Sequence, residues 1–407
     1  MQAQEMQALG KLGGQAIGVP VRTARDLEGA VTQRVFGALG PLGPPIALVQ
    51  RAISRTVYKS VDVGLRAPLA AGAATLAGTT VPGAGRIGDT RPGAFALGAV
   101  NGMWGDSIAR DHPALALDMQ LRQGGRAVAT DSEGLARAFP DATPTLAVFV
   151  HGLCETEKAW GGVYGRRLHA DLGYTPVYLR FNSGLHVSDN GRRLAEVVEQ
   201  VVGGWPVEVG EVALIGHSMG GLVARSACHY GERDGHAWTE RLRHVFCLGA
   251  PHLGAPLERG ANAVGWALSR LPEARPFADW INVRSAGVKD MRYGNCVEED
   301  WCDCDPDELL RDRCTEVPFL PTANYYFVGA TLARDPDSTA GRLAGDLMVQ
   351  FASASGNGPK RRIPFEVDKG VHLGGIHHLQ LLNHPAVYEQ LHRWLAARPR
   401  EIAAGAA

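Results

Sequence analysis

One serine of this sequence lies where its hydroxyl group could act as a nucleophile. Ser218 is at the centre of the run GHSMGG, which follows the apolar stretch Val212–Ile215 and opens a helical pattern. A serine projects from a strand-to-helix turn only in a strained backbone conformation, and its neighbours two positions away must be small. Gly216 and Gly220 meet that requirement. The pattern therefore predicts that Ser218 is a catalytic nucleophile.

Two backbone amides are expected to hold the negative charge that develops on an attacked carbonyl oxygen. The N–H of Met219 lies in the first turn of the predicted helix, where the helix dipole favours negative charge. The N–H of Leu153 follows the strand-end sequence VFVHG, in which Gly152 permits a tight turn. His151 is expected to order this loop through its ring nitrogens and to take no part in the reaction.

A serine hydroxyl needs a histidine that accepts its proton, and the histidine needs a carboxylate that orients it. In enzymes with such a turn, the acid and then the histidine follow the serine along the chain. Asp346, after the apolar run Tyr325–Val328, is the preferred acid. Asp335 and Asp337 are the alternatives, in a turn-like sequence where acids often make only local hydrogen bonds.

The histidine is expected between the last strand and the last helix. The segment GGIHHL occupies that place, and two adjacent histidines cannot both face Ser218. We predict His378 as the base, with His377 in reserve.

The remaining patterns indicate the elements that position these residues. Short apolar runs alternate with helical stretches, which predicts an α/β fold with a doubly wound, mostly parallel sheet. The predicted strands are Leu146–Val150, Pro176–Phe181, Val212–Ile215, Val245–Leu248, Tyr325–Val328 and, more weakly, Pro364–Val367. Before them, Ala114–Arg122 and Arg126–Thr130 predict a β-hairpin. Helices are predicted from the Ser188 cap and from Pro385.

The sequence patterns also predict the domain organisation. Residues 1–112 form a helical N-terminal region of unknown role, with loose helical periodicity over 20–75. Residues 113–400 form the catalytic domain. Within it, residues 255–320 contain no strand-like run and resemble an inserted lid, which is either a moving cover or a plain structural insertion.

Composition restricts the class of protein. The 407 residues are 45% hydrophobic and 20% charged, with 41 basic and 42 acidic side chains. A net charge of -1 and no basic cluster argue against nucleic-acid binding. The N-terminus lacks a secretory pattern, and no apolar run reaches transmembrane length. We therefore expect a cytoplasmic protein, and weak membrane-surface contact through the N-terminal region stays open.

Four cysteines cluster in the lid-like segment. Cys296, Cys302, Cys304 and Cys314 could form two disulfides, bind a metal or remain free thiols. Zinc sites usually contain paired C-x-x-C sequences, which are missing here. Free thiols are the favoured interpretation, and no metal or other cofactor is expected.

Taken together, these motifs resemble the bacterial lipase and esterase branch of the α/β-hydrolase superfamily, close to triacylglycerol lipases and PGAP1-like hydrolases. The resemblance covers roughly residues 113 to 396 and rests on VFVHGL, ALIGHSMGGLVAR, LGAPHLGAPL, GDLMV and HHLQLLNHPAVYEQL. It implies that Asp346, which lies in a GD-x-x-V-like segment, is the acid in preference to Asp335. It also implies that His378 is the base. Leu347 departs from the family pattern, which has a second acidic residue or a glycine there.

The resulting expectation is a serine carboxylic ester hydrolase that acts on an acyl ester or lipid-like substrate. Ser218 attacks the carbonyl, His378 transfers the proton, and Asp346 orients the histidine. A thioesterase, an intracellular polyester depolymerase or an acyltransferase would use the same residues. A non-catalytic protein that binds a lipid or membrane surface is the alternative from another class.

Overall fold

The computed structural model describes residues 87–256, 258–259, 284–305, 308 and 312–397. The helices predicted within residues 20–75 lie outside the described residues. The same holds for residues 260–283 of the lid-like segment.

In the described part of the chain, eight strands form one sheet in the order β2-β1-β4-β3-β5-β6-β7-β8. The strands are β1 Gln120–Gln123, β2 Arg126–Val128, β3 Thr145–Val150, β4 Thr175–Arg180, β5 Glu211–His217, β6 Leu242–Leu248, β7 Asn324–Thr331 and β8 Gly370–Gly374. Strands β3 to β8 pair in parallel, whereas β1 is antiparallel to both β2 and β4. The predicted α/β class with a mostly parallel sheet is confirmed.

Helices cover both faces of the sheet. The helices are α1 Arg91–Asp111, α2 Ser132–Ala138, α3 Val163–Leu172, α4 Val187–Gly204, α5 Met219–Arg233, α6 Trp238–Arg241, α7 Ala286–Asp290, α8 Thr339–Ala344, α9 Phe351–Ala354 and α10 Pro385–Ala396. Apolar residues of α4 and α5 join one core cluster, and those of α3 and α10 join the other. None of these helices combines the length and the apolar character that a bilayer span requires.

The central strands read as continuous apolar runs because both of their faces are buried. In β3, Leu146 and Val148 belong to the cluster beneath α4 and α5, whereas Ala147 and Phe149 belong to the opposite cluster. Successive side chains of a strand point to opposite faces, so helices on both sides leave no polar face.

The predicted last strand was wrong. Residues Val367–Lys369 form a 3-10 turn in which Val367 is 99% exposed, and the strand begins at Gly370. A Cβ at Gly370 would lie 2.1 Å from the Phe327 ring, so a larger residue here would have to displace that ring. Glycines at both ends of β8 dilute the apolar signal from which strands are predicted.

Two other boundaries shift by a few residues. The first hairpin strand begins at Gln120, because Pro113–Leu115 form a 3-10 turn. Helix α4 begins at Val187, with His186 in the capping position that was predicted for Ser188.

Helix α1 packs against loops of the predicted catalytic domain through small residues. A Cβ at Gly102 would lie 2.4 Å from the Cys154 sulfur and 2.7 Å from the Cys154 backbone nitrogen. At Gly105, a Cβ would lie 1.9 Å from Oδ1 of Asn182, whose amide donates to the Gly105 carbonyl at 2.9 Å. The described end of the predicted N-terminal region therefore contacts the domain predicted to begin at 113.

We expect Gly102→Ala to reduce the free energy of unfolding by about 1–3 kcal/mol, because the new methyl group overlaps the Cys154 backbone. Urea denaturation measures this change. Gly203→Ala is the matched control, since a Cβ there meets no atom within 4 Å. Because Gly203 lies in the last turn of α4, this control should change the free energy of unfolding by less than about 1 kcal/mol. Equal effects of the two substitutions would contradict the tight packing of α1.

Candidate active site

Ser218 lies at the turn between β5 and α5 with a strained backbone. Its φ of 53° and ψ of -124° are unusual for a residue with a side chain. A Cβ at Gly216 would lie 2.4 Å from the Gly220 carbonyl oxygen, and one at Gly220 would lie 2.2 Å from the Val150 carbonyl oxygen. Both flanking glycines are therefore needed for the turn, as the motif predicts.

The structure brings His378 and Asp346 together in a buried pair. His378 Nδ1 lies 2.7 Å from Oδ2 of Asp346, and the side chains are 3% and 1% exposed. The other carboxylate oxygen accepts the amide protons of Met348 and Val349 at 3.0 and 2.8 Å. Because the carboxylate accepts at Nδ1, the neutral ring carries its proton there, and Nε2 is left with a free lone pair.

The pair of His378 and Asp346 adjoins the end of β6, to which the backbone of Ser218 is hydrogen-bonded. The Ser218 amide donates to the Leu248 carbonyl at 2.8 Å. The next residue, Gly249, faces the histidine, since a Cβ there would lie 3.1 Å from Cε1 of His378. His378 Nε2 is buried and has no hydrogen-bond partner among the described residues. It is the ring atom available to accept a proton.

The surroundings of His378 favour its protonated form. Burial by itself lowers the pKa of the imidazole, but the charge and hydrogen bond of Asp346, with the charge of Glu155, raise the pKa above its usual value. A ring held in this way is stabilised when it takes up a proton during a reaction.

The alternative acids and the reserve histidine lie apart from this pair. Asp335 and Asp337 are exposed, and Oδ1 of Asp335 accepts the Asp337 amide proton at 2.9 Å. His377 is half-buried, and its backbone amide donates to Gln380 at 3.0 Å. The assignment of Asp346 and His378 as acid and base stays a prediction, now with a geometry behind it.

The loop after β3 passes directly beside Ser218. A Cβ at Gly152 would lie 3.1 Å from Cβ of Ser218. The Gly152 amide donates to Glu155 at 2.7 Å, and the Cys154 amide donates to Ser183 Oγ at 3.1 Å. Between them, the Leu153 amide has no acceptor among the described residues.

The second predicted oxyanion donor is the backbone amide at the start of α5. Met219 is the first residue of this helix, where a backbone N–H has no intrahelical partner. The Met219 and Leu153 amides therefore remain the two candidates, as the sequence predicts.

His151 holds the same loop. Its Nδ1 lies 2.9 Å from the Gly152 carbonyl oxygen, and its Nε2 accepts the Phe181 amide at 3.2 Å. Burial lowers the pKa of His151 to about 4, so the ring is neutral and donates from Nδ1. The expected structural role of His151 is confirmed.

Sequence reasoning missed a second buried acid–histidine pair. Glu155 lies 3.1 Å from Nδ1 of His217, the residue before the serine. Burial tends to raise the pKa of Glu155, but the charge and hydrogen bond of His217 and the Gly152 amide hold it below its usual value. The available signals were an acid three residues after Gly152 and a histidine inside the serine motif.

All seven cysteine thiols are free in the structure. Cys304 receives a hydrogen bond from Arg313 at 3.1 Å, and Cys296 is buried. Among the described residues, no group of three or more histidine, cysteine or acidic side chains is placed to hold a metal ion.

Part of the sequence matches the model of a known protein family. Residues 181–273, which contain the Ser218 turn, match the model of the PGAP1-like alpha/beta domain. The mostly parallel eight-stranded sheet with helices on both faces matches the α/β-hydrolase fold. No curated protein matches it significantly.

Several solved structures are similar to this chain. Mature Bacillus licheniformis lipase BlEst2 is 19% identical with a TM-score of 0.41, over 63% of this chain and 93% of the lipase. Aspergillus fumigatus lipase B is 12% identical with a TM-score of 0.39, over 76% and 58%. The 2-hydroxy-6-oxo-6-phenylhexa-2,4-dienoate hydrolase of Rhodococcus sp. strain RHA1 is 13% identical with a TM-score of 0.34, over 63% and 92%. These distant similarities carry no argument about substrate.

Asp346→Asn should lower the pKa of His378, because the carboxylate charge that stabilises the imidazolium is lost. The neutral ring then predominates at lower pH than in the wild type. NMR titration of the histidine Cε1 protons, with His378→Asn identifying the resonance, measures the change. Asp335→Asn is the matched control and should leave the titration unchanged. A shift with Asp335→Asn but not with Asp346→Asn would reverse the acid assignment.

Proposed function

We propose that this protein is a serine carboxylic ester hydrolase that forms an acyl-enzyme on Ser218. One observation carries the proposal: a buried, carboxylate-bound histidine lies beside the strand end that anchors a strained serine, and its Nε2 has no partner in the described part of the chain. That arrangement supplies a nucleophile and a general base with its orienting acid.

In the first half of the reaction, Ser218 Oγ attacks the acyl carbonyl carbon while His378 Nε2 accepts the hydroxyl proton. The carbonyl oxygen becomes an oxyanion that receives hydrogen bonds from the Leu153 and Met219 amides. The tetrahedral intermediate then collapses, the carbon–oxygen bond to the alcohol breaks, and the alcohol leaves with the proton from His378. Asp346 stabilises the imidazolium and holds the ring in place.

In the second half, water replaces the alcohol. The water oxygen attacks the acyl carbon while His378 Nε2 accepts a proton from the water. The same two amides donate hydrogen bonds to the second oxyanion. Collapse breaks the bond to Ser218 Oγ, which recovers its proton from His378. The products are a carboxylic acid and free enzyme, so the chemistry uses no metal or organic cofactor.

An acyl ester with a lipid-like acyl part is the proposed substrate class, on the strength of the motif resemblance. Thioester hydrolysis, polyester depolymerisation and acyl transfer use the same residues and differ in leaving group or acceptor. The residues 255–320 are the proposed cover of the acyl site. At the described base of this segment, a Cβ at Gly287 would lie 3.1 Å from the Met219 side chain.

A fluorophosphonate probe tests the nucleophile, because it phosphonylates serines activated by a neighbouring base. We expect stoichiometric labelling of the wild type and loss of labelling in Ser218→Ala. Ser132→Ala, at the exposed start of α2, is the control and should be labelled like the wild type. A folded wild-type protein that is not labelled would favour a non-catalytic lipid-binding role.

The pH dependence of ester hydrolysis tests the base. His378 must be neutral to accept a proton, and its pKa is raised, so kcat/KM should fall as the pH drops through a value above the usual 6.5 of histidine. Chromogenic esters of increasing chain length, and matching thioesters, measure this profile and separate lipase, esterase and thioesterase activity. An acid limb well below 6.5 would contradict the assigned base.

A further inference from the structure

The buried pair of Glu155 and His217 has no role in the proton transfers described above. The Glu155 side chain is 11% exposed and that of His217 is fully buried. Burying a charged carboxylate and an imidazole is costly unless their hydrogen bonds are satisfied. Their position therefore calls for a function beyond the filling of space.

The pair contacts each of the three loops that carry the proposed chemistry. A Glu155 oxygen accepts the Gly152 amide at 2.7 Å and lies 3.1 Å from His217 Nδ1. His217 directly precedes the nucleophile, and its Nε2 lies 3.3 Å from the His378 carbonyl oxygen. The loop after β3, the serine turn and the histidine loop are thus joined through these two side chains.

The loop after β3 needs such a constraint, because its own backbone is strained. Cys154 has a φ of 61°, a conformation that side chains disfavour and that persists only when the surroundings impose it. The carboxylate of Glu155 accepts the hydrogen bond of the Gly152 amide, and the hydroxyl of Ser183 accepts that of the Cys154 amide. The Leu153 amide between them has no acceptor among the described residues.

We propose that Glu155 and His217 are positioning residues that set the Leu153 amide against Ser218 and thereby build the oxyanion site. This inference rests on the proposed function. The Glu155 carboxylate fixes the loop after β3 through the Gly152 amide. The His217 imidazole links that carboxylate to the serine turn and to the His378 carbonyl of the histidine loop. Loss of either side chain misplaces a donor that acts chiefly on the transition state.

The test compares Glu155→Gln, His217→Gln and the double variant in steady-state ester hydrolysis. We expect each single variant to lose at least about tenfold in kcat while KM changes by less than about twofold. Because the two residues act as one unit, the double variant should lose no more than the more damaged single variant. An arylboronic acid, whose tetrahedral adduct mimics the oxyanion, should bind more weakly by a factor similar to the loss in kcat.

Glu208→Gln is the control for removal of a carboxylate, since Glu208 is 85% exposed and lies 3.5 Å from Arg241. It should leave kcat and boronate affinity unchanged. If Glu155→Gln does not fold, His217→Gln carries the test, because it keeps the contact between Glu155 and Gly152.

The outcomes separate the two claims. A wild type that neither hydrolyses esters nor reacts with the fluorophosphonate overturns the proposed function itself. With an active wild type, single variants that lose less than about tenfold in kcat overturn the positioning role, as do multiplicative losses in the double variant. A kcat loss without any loss of boronate affinity also overturns it.

Discussion

The backbone of Ser218 is the constraint on which the rest of the site depends. A residue with a side chain at φ 53° and ψ -124° is strained by roughly 1–3 kcal/mol, so its neighbours must hold it. They do so by close backbone packing. The backbone of Gly216 lies against that of Gly220, and the backbone of Gly220 lies against the end of β3. The hydrogen bond from the Ser218 amide to Leu248 closes the turn against β6. Each contact requires that strands β3, β5 and β6 end at the same edge of the sheet.

The parallel sheet supplies that common edge, and later strands bring the other residues to it. The loop after β7 carries Asp346 in a turn whose amides hold the carboxylate, and β8 ends four residues before His378. Two amides from the segment after β8, those of Gly375 and Ile376, donate to the Thr331 carbonyl. The acid and the histidine therefore converge through backbone hydrogen bonds, although 32 residues separate them.

Local signals were sufficient for the elements whose requirements are local. The serine turn needs small residues at fixed spacing, and strands buried on both faces need continuous apolar runs. Both patterns are visible without a structure. The position of β8 was not predictable in this way, because what Gly370 contributes is room for the ring of Phe327 on β7, a neighbour in the sheet that is distant in sequence. The pairing of Glu155 with His217 depends likewise on a loop and a strand end that are 62 residues apart in sequence.

The acid loop illustrates the same limit. Leu347 was recognised as a departure from the usual sequence, and the structure gives it a φ of 89°, in the region that favours glycine. A leucine there carries backbone strain beside the proposed acid. The sequence indicated the unusual residue, whereas the conformation imposed on it depends on how the loop is tied to β7 through the hydrogen bond from Leu332 to Gly345.

The central claim is that Ser218 reacts within a site whose oxyanion donors are the Leu153 and Met219 amides. A crystal structure of the phosphonylated protein tests this most directly, because the phosphonyl oxygen occupies the position of the oxyanion. The account predicts a bond from phosphorus to Ser218 Oγ and a phosphonyl oxygen about 2.7–3.1 Å from both amide nitrogens. Phosphorus bonded to another residue, or a phosphonyl oxygen turned away from both amides, would contradict it.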